Sequence, residues 1–164
     1  MEKIISNENI NEAKLNNAKN IILNLQKDME KYTQKGCGPF LAAIYDDKNN
    51  LIAKCANSVI NENCSNNHAE VNAIKLAQEK LKTHDLSKYN LKLYVTAEPC
   101  MMCIGAIMWS GIKEVYFGAY DNLYGAFGSK LNMPKFFNSN IKIKGGICED
   151  TCSDLLKNFW RKNG

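Results

Sequence analysis

Between residues 8 and 34 the apolar side chains Leu15, Ala18, Ile22, Leu25, Met29 and Tyr32 return every three or four positions. That spacing lines one face of a helix. KGCGP at 35–39 breaks it. Two runs that read as strands follow, FLAAIYD (40–46) and LIAKCANSV (51–59), and the turn-rich DDKNN between them predicts a hairpin. Residues 68–82 return to helical spacing through Val71, Ile74, Leu76, Ala77 and Leu81. LKLYVTA (91–97) and EVYFGAY (114–120) read as strands. Between them a helical run opens at EPC and ends near Ser110, with Pro99 at its start, where a missing N–H costs least. A glycine-containing loop (121–128), a mixed segment, a short strand near 141–147 and a helix over 149–161 complete the chain. The order α-β-β-α-β-α-β-α-β-α implies a layered α/β fold with helices on both faces of one sheet.

The 164 residues fit one domain, 1–164, with 1–8 read as a flexible N-terminus. No apolar run approaches the roughly 18–20 residues that span a bilayer, and no secretory h-region is visible. A cytoplasmic location is the expectation, with no membrane partner. The seven cysteines are an odd number and no export signal precedes them, which argues against a disulfide framework. Thiols are then core residues, metal ligands or nucleophiles. The net charge of +4 sits at one end: residues 130–164 hold six Lys and one Arg against three acids, while the preceding charges cancel. This excess suits either a polyanion or a solvated face. Arg161 is the only arginine, so a guanidinium-rich phosphate grip is absent.

Two stretches carry chemistry. CSNNHAEVNAI (64–74) places His68 and Glu70 at the start of a predicted helix. TAEPCMMCIGAIMWSG (96–111) places Cys100 and Cys103 at the start of another, where free amides and the helix dipole favour thiolates. One His and two Cys make three ligands, which is a catalytic zinc with one position open. Glu70 is then placed to move protons. Cys64 is a rival: with His68, Cys100 and Cys103 it could close a structural site instead, leaving a non-catalytic, zinc-stabilised nucleic-acid-binding module. Cys148, Cys152 and His84 are read as bystanders.

His-x-Glu followed by Pro-Cys-x-x-Cys resembles the signature of zinc nucleobase deaminases. NNHAEVNAI and YVTAEPCMMCIGAI resemble the cytidine-deaminase-like superfamily, in the branch of bacterial tRNA adenosine deaminases and guanine deaminases. The resemblance implies a three-layer α/β/α sandwich around a five-stranded mixed sheet, a homodimer and one Zn2+ per subunit. It implies His68, Cys100 and Cys103 as zinc ligands and Glu70 as the catalytic proton carrier. Asn57, Ala69, Pro99, Asp121 and Phe159 become expected substrate contacts. For the substrate, the signals divide. Asp121, Gly125, Ala126, Gly128 and Ser129 resemble the tRNA adenosine deaminase loop, and Phe159-Trp160-Arg161 its last helix. Gly38-Pro39-Phe40 and GAIMWSG (105–111) resemble guanine deaminases. The expectation is hydrolytic deamination of adenosine to inosine in a tRNA anticodon loop, with a free purine such as guanine, or cytosine, as the alternative. Phe127, Phe159 and Trp160 are candidates for stacking on an RNA base.

Overall fold

A computed structural model describes residues 10–163. The flexible terminus expected at 1–8 lies outside them. In chain order the helices are α1 (Glu12–Thr33), α2 (Ala69–Leu81), α3 (Met101–Ser110), α4 (Met133–Phe136) and α5 (Glu149–Asn163). The strands are β1 (Leu41–Tyr45), β2 (Leu51–Ala56), β3 (Lys92–Ala97), β4 (Glu114–Ala119) and β5 (Lys142–Lys144). They form one sheet in the order β2-β1-β3-β4-β5. β1 runs antiparallel to both β2 and β3, while β3, β4 and β5 are parallel. The five-stranded mixed sheet expected from the sequence is therefore present.

Side chains alternate across a strand, so a sheet covered on both faces needs apolar residues at nearly every position. β1, β3 and β4 meet that demand. Ala42, Ile44, Leu93, Val95, Val115 and Phe117 pack with Ala73 and Ala77 of α2 and Ile104 and Ile107 of α3. Leu41, Ala43, Tyr94 and Tyr116 point the other way, into a cluster with Ile22, Leu25 and Met29 of α1 and Cys152 of α5. The result is three layers. Truncating Phe117 to alanine is expected to cost about 3–5 kcal/mol, because neighbours on a rigid sheet cannot collapse into the void. Gly118 allows α5 its close approach: a Cβ there would overlap Cys152 Sγ.

Boundaries differ from expectation where polar side chains intervene. The Asn11 side chain accepts a hydrogen bond from Lys14 N at 2.8 Å and caps α1, which begins at Glu12; the start expected at residue 8 lies outside the described residues. β2 ends at Ala56 because the chain turns: Glu62 N donates to Ser58 O and Cys64 N to Val59 O. Residues 98–100 stay extended, tied by Glu98 N to Ala119 O at 2.8 Å, so α3 starts at Met101. The mixed segment holds one turn of helix, α4, with Pro134 in its first turn.

Candidate active site

The two sequence stretches meet where two helices begin. His68 is the N-cap of α2 and Cys100 the N-cap of α3, and neither side chain makes a capping hydrogen bond. Both are thus free for another task. His68 Nδ1 lies 3.7 Å from Cys100 Sγ and 3.4 Å from Cys103 Sγ, and the two sulfurs are 3.7 Å apart. Tetrahedral zinc, with bonds of about 2.3 Å to sulfur and about 2.0 Å to nitrogen, sets edges of about 3.8 Å and about 3.6 Å. The donor set fits that ion in both type and spacing. Among the described residues this is the one group of three or more donors close enough to hold a metal. Cys64 is not in it, which removes the four-ligand alternative. Its backbone closes the 59–67 turn.

Electrostatics sharpen the picture. The Cys103 thiol donates to Cys100 and His68 adds its hydrogen bond, which together lower the Cys100 pKa to about 4. Cys103 moves the other way, because it is the donor and is buried. Two helix N-termini add positive potential beside both sulfurs. Glu70 is buried in the first turn of α2, and burial raises its pKa above the ordinary carboxylate value. Its carboxyl reaches the Cys103 thiol. A carboxyl so held can carry a proton both ways.

The cluster opens into a cavity of about 520 Å³ at the carboxyl ends of β3 and β4, within the size range of small-molecule sites. His68, Glu70 and Cys100 line it together with Phe40, Asn57 and Asp121. Asn57 Oδ1 accepts from Val59 N at 3.3 Å, and Asp121 Oδ1 accepts from Leu123 N at 2.9 Å and Tyr124 N at 3.0 Å. Ala69 and Pro99 are buried one residue behind the lining. Two expectations need correction. Phe159 points into a groove between α1 and α5, and the neighbouring Trp160 reaches the cavity instead. Adjacent helical residues face about 100° apart, so the two cannot share one surface. Phe127 is 3% exposed and stacks on Phe117 in the core, so it is not available to a base.

Six lining residues were missed by sequence reasoning: Ala97, Met101, Leu123, Tyr124, Lys130 and Leu131. Four of them lie in the glycine-containing loop or just after it, and only the path of that loop brings them to the cavity. Glu98 was also missed, although its place beside Pro99-Cys100 marked it.

Comparison with known proteins agrees with the site. Residues 16–163 match the model of the MafB19-like deaminase family. The chain belongs to that family. As a member it is an enzyme, a hydrolytic deaminase acting on a C–N bond. The tRNA-specific adenosine deaminase of Haemophilus influenzae is 35% identical over 126 residues, which are 76% of this chain and 72% of that one. A guanine deaminase from Nitrosomonas europaea superposes with a TM-score of 0.77 at 30% identity, covering 86% of this chain and 83% of its own. A tRNA:A34 deaminase that edits A to I at the wobble position superposes with a TM-score of 0.73 at 27% identity, covering 84% and 99%. Both structural relatives carry the three-layer fold described above.

Proposed function

We propose that the protein is a zinc-dependent deaminase that converts an adenine in a tRNA anticodon loop to hypoxanthine. The observation that carries the chemistry is the His68–Cys100–Cys103 donor triangle opening into a cavity beside the buried Glu70. The three residues would hold zinc, which when bound acidifies water and polarises it for attack. Glu70 does the proton work. It accepts a proton from the attacking water. It delivers that proton to the ring nitrogen, then takes the remaining proton from the hydroxyl now on the ring carbon and passes it to the departing amine. A C–O bond forms, the exocyclic C–N bond breaks, and C–NH2 plus water becomes C=O plus ammonia. Asn57 and Asp121 lie within the cavity to hold the base edge.

The tRNA reading is supported by the loop at 121–129, by Trp160 and Lys130 in the cavity lining, and by Arg161 and Lys162 in the last turn of α5. A flat indole there offers a stacking surface and the cations suit a phosphate backbone. A specific observation favours a second reading. Phe40, from the Gly-Pro-Phe run that resembles guanine deaminases, lines the cavity, and a free purine such as guanine would then be the substrate. An ammonia-release panel of guanine, adenine, cytosine, their nucleosides and an anticodon stem-loop separates the two. The first choice predicts turnover of the stem-loop, falling with added salt. Turnover of free guanine with none of the stem-loop overturns it.

We further propose a homodimer. Trp109 is 90% exposed on α3, a helix that is apolar almost all round. Sedimentation of wild type against Trp109→Lys tests it. No helix of the described residues is long and apolar enough to cross a membrane. The cytoplasm, where tRNA is modified, is the proposed location.

A further inference from the structure

Glu98 is buried at 4% exposure, yet it belongs neither to the donor cluster nor to the proton transfer. Its two oxygens take four hydrogen bonds. Oε1 accepts from Phe127 N at 3.0 Å and Ser129 N at 3.1 Å. Oε2 accepts from Asp121 N at 3.0 Å and from the Ser129 hydroxyl. A carboxylate offers about four acceptor sites, so every one is filled. All four donors come from one segment, 121–129, and the acceptor lies two residues ahead of Cys100. Two other contacts follow the same seam. Ala126 N donates to Pro99 O at 3.0 Å, and a Cβ on Gly125 would overlap the Glu98 carboxylate and the Asp121 carbonyl oxygen. The segment presents Asp121, Leu123 and Tyr124 to the cavity and leads directly into Lys130 and Leu131, which also line it.

We propose that Glu98 is a positioning residue: through four donors from residues 121–129 on one carboxylate, it fixes the substrate-facing wall of the cavity relative to Cys100. The proposal rests on the reading that this cavity binds the base. Without the carboxylate, three N–H groups, that of Phe127 buried and those of Asp121 and Ser129 part-buried, lose their partner and must find another. The wall then moves away from the chemistry, and misplacement by about 1 Å can cost about 100-fold.

Glu98→Gln keeps the shape but turns an NH2 toward at least one donor. It is expected to lower kcat/KM by about 10–100-fold, mostly through KM, and to blunt discrimination among the bases that wild type accepts. Zinc per chain stays at the wild-type value. Amide exchange at Asp121, Phe127 and Ser129 rises by about 10-fold or more, while that of β3 is unchanged. Ser129→Ala, which removes one donor of the four, shifts the same readouts less. Gly125→Ala leaves Glu98 in place but crowds the segment off it, and so carries the test if Glu98→Gln does not fold. Wild-type KM, base discrimination and exchange in Glu98→Gln overturn the proposal. So does loss of zinc, which would mean that Glu98 acts on Cys100 and not on the wall. A stability loss without a change in KM or in exchange at those three amides marks a merely structural role and also overturns it. If wild type turns over none of the bases, the proposed function fails, and the exchange measurement still decides the role of Glu98.

Discussion

The cavity has two unlike walls. On one, His68, Glu70, Cys100 and Cys103 sit in the first turns of helices whose backs are packed on the sheet through Ala73, Ala77, Ile104 and Ile107. On the other, Leu123 and Tyr124 are more than 70% exposed, and Trp160 is 54% exposed near the end of α5. The first wall is backed by core through these two helices. The second hangs on a few hydrogen bonds, many of them to Glu98. The contrast places the reacting groups where geometry cannot drift and leaves recognition to surfaces that can adapt.

If that division is right, changes on the braced wall should stop the reaction outright. His68→Ala or Cys103→Ala should empty the metal site and bring ammonia release to background. Metal analysis after gel filtration should find near zero zinc per chain against about one in wild type. Retention of zinc and activity in Cys103→Ala would break the comparison at its base. Next in size is Glu70→Gln. Zinc should stay, KM should change little, and kcat should fall by about 100- to 10,000-fold, the usual contribution of a positioned proton carrier. Steady-state kinetics beside metal analysis checks both halves. In the metal-free protein burial raises the pKa of Glu70, so its carboxyl, followed by NMR in zinc-stripped protein, should titrate above the ordinary carboxylate value.

The open wall should respond differently. Trp160→Ala should raise KM for an anticodon stem-loop by about 5- to 100-fold, with kcat held within about threefold, since aromatic stacking on a base contributes about 1–3 kcal/mol. Phe159→Ala is its counterpart. Its ring packs edge-on to Trp160 but faces the groove against α1, where Leu155 and Met29 are neighbours. It should lower stability by about 1–2 kcal/mol through lost apolar burial and leave KM near wild type. Equal KM effects from the two would mean that the helix, not the indole, is what the substrate meets.

The same contrast explains what sequence could show. The short, nearly continuous apolar runs in LAAIY and KLYVTA and the stripe in α1 predicted the sheet and its layers, because burial on both faces leaves few choices of residue. The metal wall was legible too. His68 with Glu70, and Cys100 with Cys103, are each local in the chain, and each pair opens a helix. The open wall was only partly legible. Phe40, Tyr124 with Lys130, and Trp160 come from three distant segments, and no periodicity records that they converge. Phe159 was chosen over Trp160 because a pattern match cannot resolve a rotation of 100° about a helix axis. Phe127 misled because an aromatic in a glycine-rich loop looks like a ligand contact, yet here it fills the space beside Phe117.

The smallest expected effect lies outside both walls and tests whether they can be separated from the scaffold. Asp28 of α1 pairs with Lys54 of β2 at 2.6 Å, on the sheet face away from α2 and α3. The Lys54 hydrogen bond lowers the Asp28 pKa, and the same bond raises that of Lys54. A lowered carboxyl pKa contributes stability above the unfolded value of about 3.9, and this is lost as pH falls through the lower folded value. A raised lysine pKa contributes below about 10.4 and is lost as pH rises through the higher folded value. The pair therefore contributes fully between about pH 4 and 10. Its partial exposure limits the worth to about 0.2–1 kcal/mol. Lys54→Ala should lower the denaturant midpoint by that amount at pH 7, by less at pH 3, and leave zinc content, kcat and KM unchanged. A shift in KM from this distant pair would mean that the open wall senses the packing of α1, and the division between a braced wall and an adaptable one would then have to be redrawn around α5, which shares the groove with α1.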